Sequence, residues 1–298
     1  MTAAALPPYL SEADLDALLA RALDEDVGAG DVTTRATVPP ETAAEAHFLA
    51  KEDGVLAGLA VAERVFARID GTVAVTWARA DGDAVQAGTV FGAVRGRARS
   101  LLTAERLALN LIQRMSGIAT ATRRMAEAAR PARILDTRKT APGLRTLDKW
   151  AVRLGGGHNH RLGLYDQILI KDNHIAAIGG VAEALEAAQR YRAAHDPDLT
   201  VEVEARTLEE VQRVLAAGGA DIVLLDNMAR RREDGTLDVS MLEAAVRLID
   251  GRMQTEASGN VTLETVAAIA ATGVDAISSG ALTHSVRALD VSLKIELG

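Results

Sequence analysis

Cysteine is absent from this chain of 298 residues. That absence excludes disulfide bonds, thiolate metal ligands and cysteine nucleophiles. It is typical of a protein kept in a reducing compartment, and we expect this one in the cytoplasm. Aromatic residues are also scarce, at 3% of the chain, whereas 48% of the residues are hydrophobic. We therefore expect a core of Ala, Val, Leu and Ile, large enough for one large domain or two modest ones.

Long apolar stretches are missing as well. No window approaches the roughly 18 uninterrupted apolar residues of a membrane helix, so we expect no membrane association. The first ten residues contain no basic residue and no long apolar segment, so we expect no signal peptide. The net charge of −8 argues against binding to nucleic acid or to an anionic membrane surface. Small anionic ligands are still compatible with it, because a cleft can differ in sign from the whole surface.

The hydrophobic pattern divides the chain into two parts. Residues 11–26 are predicted to form an amphipathic helix, and short apolar runs between about 43 and 99 predict antiparallel strands around a helix near 60–69. A long helix is predicted from Leu101 to Ala129, because apolar residues recur there mostly every three or four positions. After residue 132, strands and helices alternate, which indicates a parallel sheet and favours a closed barrel of about six strands over an open sheet.

The predicted strands of this second part are short and apolar. They cover residues 133–136, 167–171, 200–204, 221–226, 253–258 and 274–280, and the helices between them cover 181–195, 207–218, 240–250 and 262–272. An alternating apolar run at 291–297 predicts a last strand that packs back on the N-terminal part. In parallel barrels the chemistry collects at the carboxyl ends of the strands.

Polar residues stand at each of those predicted strand ends. In chain order they are Asp136 with Arg138 and Lys139; Lys171; Glu202 and Glu204; Asp226; Ser258, Gly259 and Asn260; and Ser278, Ser279 and Gly280. Seven Arg or Lys but only three Asp lie between Asp136 and Lys171, so cations are concentrated where a ligand would bind. The two late Gly-containing loops present free backbone N–H groups before helices, which is typical of phosphate sites. Because Arg binds phosphate and carboxylate bidentately, the pattern predicts a substrate that carries both groups.

Two groups in the cation-rich segment have an ordinary structural interpretation. Arg145, Lys149 and Arg153 are four residues apart, which favours a solvated helix face or salt bridges. His158 and His160 lie in a glycine-rich loop without a clear third ligand, which argues against a metal site there.

The roles of Lys171 and the two glutamates are open from the residues alone. Lys171 can bind an anion, pair with Asp172, or form a Schiff base as in an aldolase. Glu202 and Glu204 alternate on one strand, so either or both can face the ligand or pair with nearby cations. A protein that binds anions without turnover is a further alternative.

Several segments resemble quinolinate phosphoribosyltransferase, also called carboxylating nicotinate-nucleotide pyrophosphorylase. They are "LLTAERLALNLIQRMSGIAT", "DTRKTAPGLR", "KWAVRLGGGHNHRLGLYDQILIKDNH", "VEVE", "LLDN", "ASGN" and "ISSG". The resemblance runs in order from about residue 25 to about 285. It implies transfer of phosphoribose from phosphoribosyl pyrophosphate to quinolinate with Mg²⁺, giving nicotinate mononucleotide, pyrophosphate and CO₂ for NAD synthesis.

The family's architecture follows from the same resemblance. It implies an N-terminal α/β open sandwich over residues 1–116, with 284–298 packing back on it, and an incomplete parallel α/β barrel of fewer than eight strands over 117–283. It also implies a homodimer with a shared active site, or a hexamer, in which Arg106 acts in the neighbouring subunit's site.

Site residues are carried over by motif. The quinolinate carboxylates would be bound by Arg106, Arg138, His160 and Arg161. The phosphate-rich end would be bound by Lys139 and Lys171, and the ribose hydroxyls and Mg²⁺ would face Glu204 and Asp226; these four are the catalytic candidates. The 5′-phosphate site would consist of Ser258, Gly259, Asn260, Ser279 and Gly280. Glu204 is preferred over Glu202, and Asn260, where many members have Gly, would contact phosphate through its backbone.

Relatives of the same fold with other substrates are the nearest alternatives. They are a molybdenum-transport-associated homologue and a transferase for nicotinic acid, and the four residues assigned to carboxylates favour a di-acid over a mono-acid. Other nucleotide signatures are missing: the chain has no G-x-x-x-x-G-K-[ST] loop, and "VLLDNM" lacks the paired acids and Thr-Gly of sheet-based phosphoribosyltransferases.

Overall fold

A computed structural model describes residues 5–297 of the chain. Its helices are α1 (Glu12–Asp26), α2 (Val32–Thr37), α3 (Leu59–Ile69), α4 (Ala98–Ala128), α5 (Arg145–Leu154), α6 (Asp172–Ile178), α7 (Val181–His195), α8 (Leu208–Ala217), α9 (Ser240–Ile249), α10 (Val266–Ala270) and α11 (Ala281–His284). Of these described helices, none is long and apolar enough to cross a membrane, even α4 with 31 residues.

The strands are mostly short. They are β1 (Ala43–Ala50), β2 (Gly54–Val55), β3 (Ala74–Trp77), β4 (Ala84–Val85), β5 (Val90–Arg97), β6 (Arg133–Leu135), β7 (Ile168–Ile170), β8 (Val201–Ala205), β9 (Ile222–Asp226), β10 (Arg230–Arg231), β11 (Leu237–Asp238), β12 (Gln254–Ser258), β13 (Ala276–Ser278) and β14 (Val291–Leu297). The chain separates into two compact units. The first unit comprises the chain up to Arg123, Ala141–Gly156 and the chain from Ser285 onward, and the second comprises Arg124–Thr140 and Gly157–His284.

The first unit contains a four-stranded antiparallel sheet in the order β14-β1-β5-β3. The ring of Phe48 on β1 lies 6.1 Å from that of Phe66 on α3, and within 5.7 Å of those of Trp77 and Phe91. All three Phe of the chain are therefore in this one core. The scarce aromatic residues are concentrated here, while Ala, Val, Leu and Ile predominate elsewhere, as expected from composition.

In the first unit, α4 has the predicted buried stripe, and α5 packs more deeply than predicted. The guanidinium of Arg114 makes two 2.8 Å hydrogen bonds to the fully buried carboxylate of Asp148. Lys149 is also fully buried, so the interpretation of Arg145, Lys149 and Arg153 as a solvated helix face is wrong for Lys149. The cause is that α5 buries six consecutive residues from Leu147 to Val152, which leaves it no continuous exposed face.

The second unit contains a six-stranded parallel sheet in the order β6-β13-β12-β9-β8-β7. Consecutive strands from β7 to β13 pair along the order of the chain, apart from the short β10–β11 hairpin, and the last one pairs with β6. This is the expected incomplete barrel with fewer than eight strands, but β6 and β7 do not pair in the described chain, so the ring is not closed by strand pairing. Instead, His158 donates from its backbone N to the carbonyl of Ile134 at 2.8 Å, alongside the free edge of β6.

One helix of this unit is much shorter than the sequence pattern predicts. The expectation of a helix over 262–272 is wrong, because α10 begins only at Val266 and contains five residues. The Thr265 hydroxyl accepts from the backbone N of Thr262 at 2.9 Å and donates to the carbonyl of Asn260 at 2.8 Å. These side-chain hydrogen bonds form a turn that competes with the helix.

Candidate active site

The carboxyl ends of the six parallel strands carry the candidate site. Strand register places Asp226 opposite Ser258 and Ser278 opposite Leu135, which precedes Asp136. Of the predicted residues, those at or just after these strand ends are Arg138, Lys139, Lys171, Glu204, Asp226, Ser258, Gly259, Asn260, Ser279 and Gly280. His160 and Arg161 belong to the same unit but lie in the loop that precedes β7, and His160 lines a small cavity with the first residues of β6, β9, β12 and β13. Arg106 belongs to the first unit, where it is exposed on α4.

An acidic group surrounds one arginine that sequence reasoning missed. Arg206 follows β8, and its Nη2 lies 2.7 Å from Oε1 of Glu204, which is nearly buried. Its Nη1 donates to Asp172 at 2.8 Å, and its Nε lies 3.4 Å from a carboxylate oxygen of Asp226. Burial, followed by the charge of Asp226, raises the pKa of the Glu204 carboxyl, and Arg206 opposes that rise. A cavity of about 750 Å³ beside this group is lined by Asp172, Glu204, Arg206 and residues of α6 to α8.

Two arginines form the cationic part of the site. The pKa of the Arg161 guanidinium is lowered, mainly by burial and then by repulsion from Arg138. The Nε of Arg138 is buried and has no hydrogen-bond partner among the described residues. Two neighbouring guanidiniums, one with an unused donor, have the chemistry to bind an anion with more than one charge.

The Lys139 segment is fixed by its backbone, and its side chain is exposed. Its backbone N donates to the Thr137 hydroxyl at 3.0 Å, and its carbonyl accepts from the Thr283 hydroxyl at 2.8 Å. A Cβ added at Gly280 would lie only 2.8 Å from Cδ of Lys139 and 2.9 Å from Cδ2 of His284. Gly280 therefore leaves room for the Lys139 side chain where β13 ends.

Lys171 stands at the end of β7, immediately before α6. Its backbone N donates to Nδ1 of His174 at 2.9 Å, and the residue as a whole is exposed. Its positive charge opposes the rise in the pKa of the Glu204 carboxyl. Lys171 is thus near the acidic group, in a position to meet an anionic ligand.

The loop after β12 has the backbone that a close ligand approach requires. Gly259 has φ +92°, and a Cβ there would overlap the side chain of Asn227. Asn260 has φ +56°, and its Nδ2 donates to the carbonyl of Ala229 at 3.1 Å. Because the Asn260 side chain and carbonyl are both engaged with the protein, its backbone N–H is the part left for a ligand.

The expectation of a free backbone N–H is wrong at one position of the last loop. The backbone N of Ser279 donates to the carbonyl of Leu135 at 3.0 Å, because the pairing of β13 with β6 continues one residue past the strand end. The Ser279 hydroxyl, 3.4 Å from the carbonyl of Val261, is buried.

His160 turns inward from the loop rather than joining His158, which is exposed. Its Nε2 lies 3.1 Å from Oε2 of Glu202 and 3.6 Å from Oε1 of Glu256, and all three side chains are almost fully buried. Burial, followed by the charge of Glu202, raises the pKa of Glu256 to about 7. No local sequence pattern predicts this group, because Glu256 is on β12 and Glu202 on β8, with β9 between them.

Asp136 has a structural role beneath the loop. Its fully buried carboxylate accepts from Nδ2 of Asn159 at 2.6 Å and from the backbone N of His160 at 3.0 Å. It therefore orients the segment that precedes Arg161.

Comparison with known proteins decides the family. Residues 31–116 match the family model for the quinolinate phosphoribosyl transferase N-terminal domain, and residues 118–294 match that for its C-terminal domain. The chain belongs to the quinolinate phosphoribosyltransferase family. The resemblance of its motifs to this family is thereby confirmed.

Relatives of this family cover nearly the whole chain. Quinolinate phosphoribosyltransferase (decarboxylating) 1b of Nicotiana tabacum is 55% identical over 296 residues, which cover 97% of this chain and 85% of that protein. A probable nicotinate-nucleotide pyrophosphorylase (carboxylating) of Bacillus subtilis is 44% identical over 278 residues, 92% of this chain and 90% of that protein. The crystal structure of NadC from Streptococcus pyogenes has a TM-score of 0.89 and 41% identity, covering 98% of this chain and 100% of that one.

Proposed function

We propose that this chain transfers the phosphoribosyl group from phosphoribosyl pyrophosphate to quinolinate with decarboxylation, giving nicotinate mononucleotide, pyrophosphate and CO₂. The observation that carries this proposal is the pair Arg138 and Arg161, with a buried unpartnered donor, in the same unit as the acids Glu204 and Asp226. Cations for a di-acid and carboxylates for a ribose are the two things this reaction needs. Family membership supports the same reaction.

The arginines offset the repulsion between two anionic substrates. Two unit charges about 4 Å apart interact by about 1 kcal/mol in water and about 4 kcal/mol at an effective dielectric constant near 20. Quinolinate carries two such charges and phosphoribosyl pyrophosphate carries several. Arg138 and Arg161 would bind the carboxylates, while Lys139 and Lys171 would bind the phosphate-rich end.

The acids suit the reacting ribose. As the bond from C1 to pyrophosphate breaks, the ribose develops positive charge, which Glu204 and Asp226 would stabilise. Carboxylate oxygens are also the ligands that Mg²⁺ prefers, so the same two residues fit a site for Mg²⁺ that arrives with phosphoribosyl pyrophosphate. When bound, Mg²⁺ would neutralise charge on the departing pyrophosphate.

Decarboxylation requires little further chemistry from the protein. The pyridine nitrogen attacks C1 as pyrophosphate leaves and becomes cationic, and that positive charge stabilises the carbanion left at the adjacent carbon when CO₂ departs. The carbanion then takes up a proton from water to give nicotinate mononucleotide. The protein's part is to hold the two substrates in the reactive orientation. No covalent nucleophile is needed, which agrees with the absence of cysteine.

For assembly, we propose a homodimer or a hexamer in which Arg106 enters the partner's site. Its exposed position on α4 supports this role, because the side chain is free to face another subunit. Mixing an Arg106→Ala protein with a Lys139→Ala protein tests it. If Arg106 acts in the partner's site, mixed dimers regain one intact site and measurable activity. If it acts within its own subunit, the mixture stays as inactive as its components.

We also propose that the protein works in the cytoplasm. The absence of cysteine supports a reducing compartment. Fractionation of cells from the source organism, with antibody detection, tests this, and recovery of the protein outside the cytoplasm would contradict it.

The reaction is tested with purified protein, quinolinate, phosphoribosyl pyrophosphate and Mg²⁺, with nicotinic acid as the parallel acceptor. Nicotinate mononucleotide from quinolinate is expected. Product only from nicotinic acid would show that the protein uses a mono-acid acceptor instead of quinolinate. Trapping by borohydride in the presence of a carbonyl substrate would instead support a Schiff base at Lys171. Quinolinate binding without product from either acceptor would indicate a binding protein.

A further inference from the structure

The buried group formed by His160, Glu202 and Glu256 lies outside the catalytic candidates of the strand edge. One ligand-type atom from each residue lies within 4.8 Å of the others. The Glu202 side chain is completely buried, and its Oε1 has no hydrogen-bond partner among the described residues. Keeping a carboxylate in such a position costs free energy, so its contacts indicate what it does.

Hydrogen bonding at the imidazole argues against a metal site, although the three residue types would suit one. Nδ1 of His160 accepts from the backbone N of Arg161 at 2.7 Å, so Nδ1 carries no proton. The proton of the neutral ring is then on Nε2, the atom that faces both glutamates. A histidine that binds a metal has the opposite arrangement, with its free nitrogen donating to a protein acceptor.

The protonated Nε2 makes His160 a donor to Glu202. The ring thus links the Glu202 carboxylate on one side to the backbone of Arg161 on the other. Both ring nitrogens are engaged within the protein, which favours a role for His160 in orienting Arg161 over the direct carboxylate contact that the family resemblance implies.

Glu202 also holds the far end of the loop that carries Arg161. Its Oε2, the same oxygen that faces His160, accepts from Nε2 of Gln167 at 2.6 Å. The carbonyl of Gln167 in turn accepts from Nη1 of Arg161 at 3.4 Å. One buried oxygen therefore fixes the residue before Arg161 and the residue whose carbonyl meets its guanidinium.

The charges around Arg161 indicate the same role for Glu202. Arg161 is partly buried and next to Arg138, and both conditions disfavour its charged form. The charge of Glu202 opposes these two effects on the pKa of the Arg161 guanidinium. Glu202 is thus a fully buried anion whose charge acts on Arg161.

We propose that Glu202 is a positioning residue for the di-acid substrate, holding the loop from His160 to Gln167 so that Arg161 meets a quinolinate carboxylate. The proposal rests on the function proposed above. It gives Glu202 a different task from Glu204, two residues along the same strand, which faces Arg206 and the phosphoribosyl end.

The test compares Glu202→Ala and Glu202→Gln with the wild-type enzyme in steady-state kinetics and in calorimetric binding of quinolinate alone. Because small displacements of a binding group cost up to about 100-fold, we expect Glu202→Ala to raise the KM for quinolinate by roughly 10- to 100-fold. The KM for phosphoribosyl pyrophosphate should stay within about twofold. Glu202→Gln keeps one acceptor oxygen for the loop but not the charge, so its effect should be intermediate.

Glu256→Gln is the matched control, since it also removes a carboxylate from the same interior. Glu256 lies 3.6 Å from Nε2 of His160, farther than Glu202 at 3.1 Å, and it makes no hydrogen bond to Gln167 or Arg161 in the described structure, so the quinolinate KM should change less than threefold. Circular dichroism melts identify the folded variants. An unchanged quinolinate KM in folded Glu202→Gln and Glu202→Ala, or equal rises for both substrates, overturns the proposal. Failure of the proposed function is distinguishable, because the wild-type enzyme would then give no product from quinolinate.

Discussion

Nη2 of Arg206 lies 2.7 Å from Oε1 of Glu204 at the carboxyl end of β8. The same guanidinium reaches Asp172 at the start of α6 and Asp226 at the end of β9. Arg206 therefore links three elements whose carboxylates would otherwise repel one another. Since two of these acids are the candidates for the ribose and Mg²⁺, Arg206 sets their geometry before the substrate arrives.

Replacing Arg206 by Ala should specifically weaken the binding of phosphoribosyl pyrophosphate. Arg206 is about half exposed, so we expect its ion pairs with the three acids to contribute only about 1 kcal/mol to the binding of phosphoribosyl pyrophosphate. Loss of about 1 kcal/mol corresponds to roughly a fivefold higher KM for that substrate. The quinolinate KM should not change. Arg213→Ala, at a residue lining the same cavity, is the control. A lower KM for phosphoribosyl pyrophosphate in Arg206→Ala would mean that the arginine competes with the substrate for the acids.

Replacing Lys139 by Ala should lower activity more, because in the proposed reaction its charge would act on the phosphate-rich end of the substrate, where negative charge develops. By analogy with removal of one preorganised donor, we expect kcat/KM to fall by roughly 10²- to 10³-fold. Stopped-time assays of nicotinate mononucleotide measure this, with the exposed Lys51→Ala as the control. Activity near that of the wild type in Lys139→Ala would remove Lys139 from the catalytic residues.

Replacing Gly280 by Ala should displace the Lys139 side chain. The added Cβ would lie 2.8 Å from Cδ of Lys139, closer than carbon atoms normally approach. We expect a fall in kcat/KM of roughly tenfold, the effect of about 1.4 kcal/mol in the transition state. Gly71→Ala is the control, since a Cβ there would meet nothing closer than 4.0 Å. If Gly280→Ala retains full activity, the lysine does not need that space.

The free energy of unfolding should depend on pH through Glu256. Burial and Glu202 raise its pKa from 4.5 to about 7 in the folded protein. Between these values the folded state binds more protons than the unfolded state, so stability decreases as pH rises and is regained as pH falls. Glu256→Gln cannot ionise, so it should become more stable relative to the wild type as pH rises, by on the order of 3 kcal/mol at most. Urea unfolding of both proteins at about pH 5, 6 and 8 measures the difference, and parallel pH profiles would contradict the assignment.

The sequence pattern was sufficient to predict features that depend on local periodicity. The spacing of Ala104, Leu107, Ala108 and Leu111 predicts the buried stripe of α4, and these residues are buried. The short apolar strands predict the ends at which Lys171, Glu204 and Asp226 stand, because a parallel strand delivers its last residue to a known edge.

Features that depend on contacts between distant segments could not be predicted. Glu202 and Glu256 meet His160 only because β8, β9 and β12 are neighbours in the sheet, which no local pattern encodes. The burial of Lys149 and the pairing of the Ser279 N–H with Leu135 have the same origin. Arg206 was overlooked because an arginine after a strand has no signature until its three acidic partners are placed around it.

The most direct test of the proposed reaction follows the 2-carboxylate of quinolinate. Quinolinate labelled with ¹⁴C in its 2-carboxylate is incubated with the wild-type enzyme, phosphoribosyl pyrophosphate and Mg²⁺, and labelled CO₂ and nicotinate mononucleotide are counted together. The proposed reaction predicts one labelled CO₂ for each nicotinate mononucleotide, and none when phosphoribosyl pyrophosphate is omitted. Label retained in the nucleotide, or no nucleotide formed from quinolinate at all, would contradict it.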